Sequence, residues 1–506
     1  MRIEACLLPL LLSACASTGI DRAPSQPDRP WVPHTDADGG LSVRPTDAAV
    51  LQHGFTLPAN PSVDLPGGAA PVTGKRYALA DLIDLAQELN PETRIAWNQA
   101  RDAALAAGIA RSAYLPRLTA SVLAGAQSEH GGSAVLGQSI DPRNRANGSL
   151  AVLSLQWLLF DFGQREALVT VADQHTVIAN IQFTQAHQRL IHAVSLAFLR
   201  HATARTRMDA TTAAQADAKG LLAAAQARLQ HGQGTVMDVA QARQQVAQAA
   251  LEQVAAQGER EEAYQQLLAT IGISPLATLE IADAPARPVS HVEEALLDDV
   301  VRSALQRRPD VLAAVAAQQA AGAGVRAVRA DFLPRLFVSA SGSRSNGDMD
   351  ISAVPSVGEQ APTVNLSSHR WSSSLLLGVS VPLYSGGERN ARLAQARNRA
   401  AMAADSLDRV KLDAVAEIVA AHSRLRTRLQ ATNAAEALLE ASQLAHDAAS
   451  AAYQRGVGSL TDVLAADRQL LQARISLADA DGAARAASVD LALACGNLGT
   501  APGQGD

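Results

Sequence analysis

Hydrophobic and polar positions along this chain follow two periods that alternate in a fixed order. Apolar residues recur at helical spacing from Tyr77 to about Leu89. Asn90-Pro91 then restarts the pattern, with proline in the first turn, where a missing N–H leaves no helical bond unmade. The helical pattern stops at Tyr114-Leu115-Pro116-Arg117-Leu118. Proline cannot continue a helix and pushes the preceding residue towards extended geometry. Period-2 alternation then predicts strands over about 117–127 and 149–160, joined by a polar stretch containing Gly and Asn. After Phe162-Gly163-Gln164-Arg165 the helical period resumes and runs to His231 with no proline and one glycine, Gly220. The turn Gly232-Gln233-Gly234-Thr235-Val236-Met237-Asp238-Val239 leads into a return helix over 235–271.

The same order of elements then occurs again. A helical pattern over 292–307 restarts at Arg308-Pro309, and Phe332-Leu333-Pro334-Arg335-Leu336 repeats the proline phrase. Strands are predicted over about 335–345 and 372–384. Gly386-Gly387-Glu388-Arg389 opens a helix free of Pro and Gly to Arg455, and Gly456-Val457-Gly458-Ser459-Leu460-Thr461-Asp462-Val463 turns into a return helix over 459–495. The halves are offset by 218 residues before the strands (309 − 91) and by 224 after them (458 − 234), so the extra residues lie in the second interstrand loop. Glycines inside and at the end of the return helices match as well: Gly258 with Gly482, Gly272 with Gly496. The chain therefore divides into one repeat at 77–283, with a helical hairpin at 163–272, and a second at 284–498, with its hairpin at 387–496, before a tail at 499–506.

Each long helix has about 65 residues and measures on the order of 100 Å. No globular core is that long, so each glycine turn reads as the tip of a projecting hairpin. In the second long helix Leu407, Val410, Ala414, Ile418, Ala421 and Leu425 form one apolar seam, while Leu412, Val415 and Val419 form a partial second seam well round the helix. Two seams suit a helix with a neighbour on each side, as in the wall of a tube; a dimeric coiled coil shows one stripe.

The strands carry the other clue. Leu375, Leu377, Val379, Val381 and Leu383 share one face, opposite Ser374, Leu376, Gly378, Ser380 and Pro382; Leu153, Leu155, Trp157 and Leu159 share a face in the first half. This is the pattern of a transmembrane β-hairpin, although a hairpin packed on a soluble core alternates in the same way. Tyr114, Trp157, Phe160, Phe162, Phe332 and Tyr384 fall at the strand–helix junctions, where an interfacial girdle would sit, and Trp371 marks the other end of its strand. Four strands cannot close a barrel, and bilayers exclude open edges. The membrane reading therefore requires several subunits to pool strands.

Composition narrows the choice. Hydrophobic residues make up 48% of the chain but aromatics only 3%, so the apolar share is mostly Ala, Leu and Val, which suits close helix packing. A net charge of −6 and a pI of about 6.1 give no support for a nucleic-acid partner. No apolar run reaches the roughly 20 residues of a spanning helix, which leaves strands as the means of crossing. The start reads as an export signal: Arg2, an apolar stretch over 5–12, then Leu12-Ser13-Ala14-Cys15, which resembles a lipobox. A signal peptide over 1–14, a lipid on Cys15 and an extended tether over 15–76, rich in Pro, Gly, Asp and Ser, are expected. Cys6 and Cys495 offer neither a disulfide framework nor a CxxC spacing. His187, His192 and His201 share a helix but not the i, i+4 spacing of a metal pair, and the Gly-x-Gly turns follow helices and lack a P-loop lysine. No metal, cofactor or enzymatic activity is expected.

On these residues the chain resembles the TolC-type outer-membrane efflux family, in its lipoprotein branch, over about residues 77–498. The resemblance rests on the two Leu-Pro-Arg-Leu phrases, the Phe-Gly-Gln-Arg and Gly-Gly-Glu-Arg joints, and the two turns ending in Asp-Val, in order and twice. It implies a mainly α fold with a small transmembrane β portion. Three copies would each give four strands to a 12-stranded barrel, continued by a long α-helical periplasmic barrel. It implies an exit duct of a tripartite efflux or type I secretion system, in the cell outer membrane, lipid-anchored and extending into the periplasm. Such a duct passively conducts solutes from a periplasmic adaptor (membrane-fusion protein) and an inner-membrane pump.

Pro116, Gly163, Pro334 and Gly387 would mark the helix–strand joints, and Gly232, Gly234, Thr235, Gly456, Gly458 and Ser459 the adaptor-contacting tips. Asp238, Tyr453 and Asp462 match the periplasmic gate. Some members carry a base where this chain has Gly458 and a second acid where it has Ala465, which leaves a single acidic ring at Asp462. The spacing of Asp238 and Asp462 equally fits first-turn helix acids, and Tyr453 equally fits a ring packed between helices. The competing reading is a lipid-tethered periplasmic helical scaffold that mediates assembly without conducting. That reading leaves the apolar face over 375–383 unexplained.

Overall fold

Two hairpins of very long helices and one antiparallel sheet account for most of the described residues. The computed structural model describes residues 27, 34–35, 41–42, 57, 59–60, 62–64, 74–130, 133–135, 138–140, 143–283, 297–352, 363–367 and 370–499. The expected signal segment and Cys15 lie outside the described residues. Two units separate, Met1–Ala69 and Ala70–Asp506. In the first, β1 (His34–Thr35) pairs antiparallel with β2 (Leu41–Ser42), and the Asn60 side chain accepts from Ser62 N and Oγ at 2.9 and 2.6 Å.

In the second unit the first half comprises β3 (Arg76–Tyr77), α1 (Leu79–Leu89), α2 (Pro91–Ser112), β4 (Arg117–His130), β5 (Ser133–Val135), β6 (Gln138–Ile140), β7 (Arg143–Phe160), α3 (Gln164–Gln230), α4 (Val236–Ile271) and β8 (Glu280–Ile281). The second half comprises α5 (Leu297–Leu305), α6 (Pro309–Ala330), β9 (Arg335–Ser352), β10 (Thr363–Ser367), β11 (Arg370–Ser380), α7 (Glu388–Gln454) and α8 (Leu460–Ala494). A parallel pairing of β3 with β8 joins the two ends of the first half.

Bulky side chains concentrate where α1 lies on α3 and α4: Leu82, Val194, Phe198, Leu267, Leu268 and Ile271 are fully buried there. Towards the tips the helices meet through small residues seven apart. Ala204, Thr211, Ala218 and Ala225 on α3, and Ala242, Ala249, Ala256 and Ala263 on α4, are all buried. A seven-residue seam keeps two helices in register only if they supercoil left-handedly. In α7 Leu407, Ala414, Ile418, Ala421 and Leu425 are buried and Val410 half-buried, whereas Leu412 is 72% exposed, so the second seam is largely uncovered among the described residues. One helix departs from expectation. α6 is long and apolar enough to span a bilayer by length and composition, with mean hydropathy 1.3. Its apolarity comes largely from alanine, and Ala316, Ala320, Ala323 and Ala327 pack it between α3 and α7.

The sheet runs in the order β4, β7, β9, β11, all antiparallel, with β10 pairing the far end of β9. β4, β7 and β9 run past their alternating stretches, because a backbone ladder needs no alternation to continue. β11 stops at Ser380, short of the expected 384. Ser380 pairs with Arg335, the first residue of β9, so the partner strand is exhausted there, and Pro382 has no N–H to offer. A register shift between Leu158 and Phe160 sets Phe160 opposite Leu336. Phe160 thus takes the place on the Trp157 face that strict alternation assigns to Leu159.

Candidate functional site

Residues opposite one another in an antiparallel ladder share a face, and by that rule the sheet has two unlike sides. One side carries the rows Leu118, Leu155, Ala340 and Leu375; then Trp157, Val338 and Leu377; then Phe160, Leu336 and Val379. The other carries Thr119, Ser154, Ser341 and Ser374, and then Ser121, Val152, Ser343 and Ser372. On this side the hydroxyls of Ser341 and Ser374 lie 2.8 Å apart and those of Ser343 and Ser372 2.7 Å apart. The apolar side is open: Leu375 is 76% and Leu377 69% exposed. β4 and β11 each pair on one flank only among the described residues. A single chain thus presents a greasy face and two free edges, an arrangement that water does not stabilise.

At the joints below the sheet, Pro116 and Pro334 stand immediately before β4 and β9, and Gly163 and Gly387 cap α3 and α7 at φ +86°. The residue that closes the first joint is Arg165, which the motif contained but to which sequence reasoning gave no role. Its Nε donates to Asp161 Oδ2 at 3.0 Å, Nη1 to Leu158 O at 2.6 Å and Ala113 O at 3.1 Å, and Nη2 to Leu159 O at 3.1 Å. The guanidinium lies 4.8 Å from the Tyr114 ring centre. The register shift at the end of β7 disrupts the ladder, and Arg165 collects two carbonyls from that stretch. In the second half Arg389 donates to Pro382 O at 3.1 Å and stands 3.7 Å from Asp331, which also pairs with Arg335. The recurrence of arginine at one offset in both halves was the available signal.

The tips obey local backbone rules. α3 ends with Gln233 N donating to Arg228 O at 2.8 Å and Gly232 N to Leu229 O at 3.0 Å; α7 ends with the same pair from Val457 and Gly456. Gly232 and Gly456 hold the left-handed φ, +71° and +81°, that this ending requires. The second glycine of each turn is a matter of space. A Cβ on Gly234 would lie 3.1 Å from Leu229 N, and one on Gly458 would lie 2.9 Å from Ala452 Cβ. Thr235 and Ser459 then cap α4 and α8 through reciprocal bonds. Asp238 Oδ2 accepts from Thr235 N at 2.8 Å, and Asp462 Oδ2 from Ser459 Oγ at 2.7 Å. Both acids thus serve as first-turn capping residues.

Tyr453 is buried among Ala225, Val239, Ala242, Leu460 and Val463. Arg228, another residue missed from sequence, donates to Tyr453 O at 2.8 Å and stacks 4.7 Å from its ring, which ties the two hairpin tips together. Val236, Met237 and Val457 are exposed around them. Further from the tip, His446 on α7 meets Asp467 on α8 at 2.8 Å. Burial pushes the Asp467 carboxyl above its ordinary value, with Asp217 of α3 acting in the same direction and His446 opposing. α3 and α8 are joined by Arg207, which grips Asp479 at 2.8 and 2.7 Å and reaches Glu259 at 2.9 Å, and by His192 with Asp490 at 2.7 Å.

Comparison with known proteins bears on this geometry. The family described as outer membrane efflux protein matches residues 82–273 and 300–497. Protein CyaE of Bordetella pertussis is 27% identical over 467 residues, 92% of this chain and 94% of that protein. Outer membrane efflux protein BepC of Brucella suis is 26% identical over 77% of this chain and 79% of its own length. Among solved structures, outer membrane protein VceC from Vibrio cholerae superposes with a TM-score of 0.67 at 20% identity, covering 83% of this chain and 96% of VceC.

Proposed function

This chain belongs to the outer membrane efflux protein family, and from that premise we propose that three copies pool their sheets into one closed barrel of 12 strands. The protein is an outer-membrane channel of the efflux and secretion class. In the proposed assembly the apolar face meets lipid and the hydroxyl face lines a water-filled lumen. The sheet supports this reading: four strands, one side greasy and the other hydroxylated along the rows of Ser341 and Ser343, with an edge at each end that is unpaired among the described residues. Hydrocarbon tolerates no open edge. Eight strands make an interior only wide enough for side chains, so three copies are the fewest that leave a passage.

Below the barrel the helices continue as a tube through the periplasm, and the exposed seam at Leu412 is covered by a neighbouring copy. The tips, with Val236, Met237 and Val457 outermost, dock a periplasmic adaptor, and energy comes from an inner-membrane pump. Lipid on Cys15 adds an anchor. Conduction is passive, with selectivity set by pore width and charge. Asp462, exposed at the tip, supplies an acidic ring, while Asp238 and Tyr453 hold the helices that carry it.

Charges placed on the two sides of the sheet test this. The double change Leu377→Asp, Val379→Asp should abolish outer-membrane insertion and conductance in planar bilayers. Ser341→Asp, on the other side, should leave a detergent-extracted trimer that conducts with raised cation preference. A monomer soluble without detergent that tolerates both changes would instead support the tethered scaffold.

A further inference from the structure

The apolar face of the sheet ends in a row that departs from its own pattern. Along β9 that face reads Leu336, Val338, Ala340, Gly342 and then Arg344, and the register sets Arg344 between Ala151 of β7 and Trp371 of β11. The Arg344 side chain is exposed and forms no hydrogen bond or ion pair among the described residues. Trp371, 80% exposed, leans its indole back along the same face, where Nε1 comes 4.0 Å from a Cβ built on Gly342. The next positions on this face, Ser149 and Asn346, are polar.

Height locates the row. From Leu336 to Arg344 the strand advances about 26 Å at ~3.3 Å per residue. At the tilt usual for barrels, roughly 40°, that is about 20 Å along the membrane normal. The outward apolar band of such barrels is about 25 Å tall. With the helices on the periplasmic side, Arg344 stands at the outer-leaflet edge of the band, its strand position directed to lipid and not to the lumen. A guanidinium is costly at mid-membrane and nearly free at the interface. A planar fork of N–H donors fits two oxygens of one phosphate. The outer leaflet of an outer membrane is a phosphorylated glycolipid, whose phosphate monoesters carry more charge than the diesters of phospholipids.

We propose that Arg344 and Trp371 form a binding site for a phosphate of the outer-leaflet glycolipid, one per protomer. Ala151 and Gly342 are too small to cover the guanidinium, and the Trp371 indole stands over Gly342 on the same face. β9 is flanked by strands of its own chain, so the site is complete within one copy. The inference rests on the barrel reading above, because only that reading turns this face to lipid.

Native mass spectrometry of the delipidated full-length protein in detergent tests it. Three probes are needed: diphosphorylated lipid A, the same lipid without its phosphates, and phosphatidylglycerol. Wild type should bind the diphosphorylated lipid about tenfold more tightly than either other probe, the order expected of one charge-assisted contact. R344Q should lose that margin and R344K should retain part of it. W371A should weaken binding of both forms of lipid A alike. Full phosphate preference in R344Q, or equally tight binding of phosphatidylglycerol to wild type, would overturn the site. The Arg344 side chain makes no bond among the described residues, so R344Q should assemble as wild type does, judged by mobility of unheated samples on gels. A sound trimer without phosphate preference defeats this site alone; a wild-type chain that forms no detergent-requiring trimer defeats the barrel reading.

Discussion

The two strand-to-helix joints use the same arginine and different acids. Arg165 and Arg389 (389 − 165 = 224) each donate to the carbonyl of the equivalent residue, Leu158 near the end of β7 and Pro382 just past β11 (382 − 158 = 224). The neutralising groups do not correspond. The first half uses Asp161, where the second has Ser385. The second half uses Asp331 at the end of α6, where the first has Ala113, and there a backbone carbonyl accepts the bond instead. Satisfying carbonyls at a strand end is thus the demand common to both halves. The counter-charge can come from either neighbouring element, because a carboxylate needs only proximity. The joints also differ in burial: the Arg165 side chain is 8% exposed and the Arg389 side chain 22%.

That difference predicts unequal damage. Arg165→Ala leaves Asp161 buried without its partner and several carbonyls unmet, and should cost about 3–5 kcal/mol. Arg389→Ala should cost about 1 kcal/mol. Heat dissociation of the detergent-extracted protein measures both, and equal losses would break the comparison. Moving the acid, with Asp161→Ser and Ala113→Asp together, should recover part of what Asp161→Ser alone loses.

A second pair lies where each return helix meets the start of its half. Asn90 Nδ2 donates to Thr270 O at 3.0 Å, and Arg308 Nη1 donates to Ala494 O at 2.7 Å from the equivalent position. Arg308 also holds Asp310 at 2.7 Å and Glu417 at 2.6 Å. Arg308→Ala should therefore cost about 2–3 kcal/mol, the value of charged hydrogen bonds lost from a mostly buried group. Asn90→Ala should cost about 1 kcal/mol, that of a helix cap. Urea midpoints of the two variants give the ratio.

The matched glycines differ next. A methyl on Gly482 would overlap Thr203 Oγ1 where α8 crosses α3, while a methyl on Gly258 meets nothing within 4 Å among the described residues. Gly482→Ala should destabilise by about 1–2 kcal/mol through overpacking. Gly258→Ala should stabilise by about 0.5–1 kcal/mol, because alanine loses less freedom in a helix. Opposite signs in the same melting experiment are the expected result.

The smallest expected effect is on acid response. His201 is buried at the position where the second half has Leu425 (425 − 201 = 224). Burial holds its imidazole below the ordinary value, with Arg205 and Arg260 acting in the same direction. The folded protein therefore binds fewer protons there than the unfolded chain does. Stability should fall as pH drops below about 6.5 towards the folded value. His201→Leu should remove that share of the acid loss, under about 1 kcal/mol, seen as a smaller drop in melting temperature between about pH 7.5 and 5.5.

Much of the molecule was legible as sequence, and the reasons are local. The proline phrases at Pro116 and Pro334 end helices whatever surrounds them. Gly232 and Gly456 turn the chain because only glycine adopts that φ cheaply, and Thr235 and Ser459 cap because their hydroxyls reach their own backbone. The apolar face at Leu375, Leu377 and Val379 follows from a period of 2. The end of β11 was not legible, since it depends on where β9 begins, nor was the shift at Leu159, which no alternating pattern records. Arg165 and Arg389 were visible as repeated letters but not as carbonyl-binding groups.

Residue order alone determined the succession of elements, the hairpin tips and the two-sided strands, because these arise from torsional preference and periodicity within a few residues. Tertiary structure alone decided which acid serves which arginine, which of two matched glycines has a side chain against it, and which seam stays open. Those outcomes depend on distances between residues far apart in the chain, such as Thr203 and Gly482, and no local period encodes them.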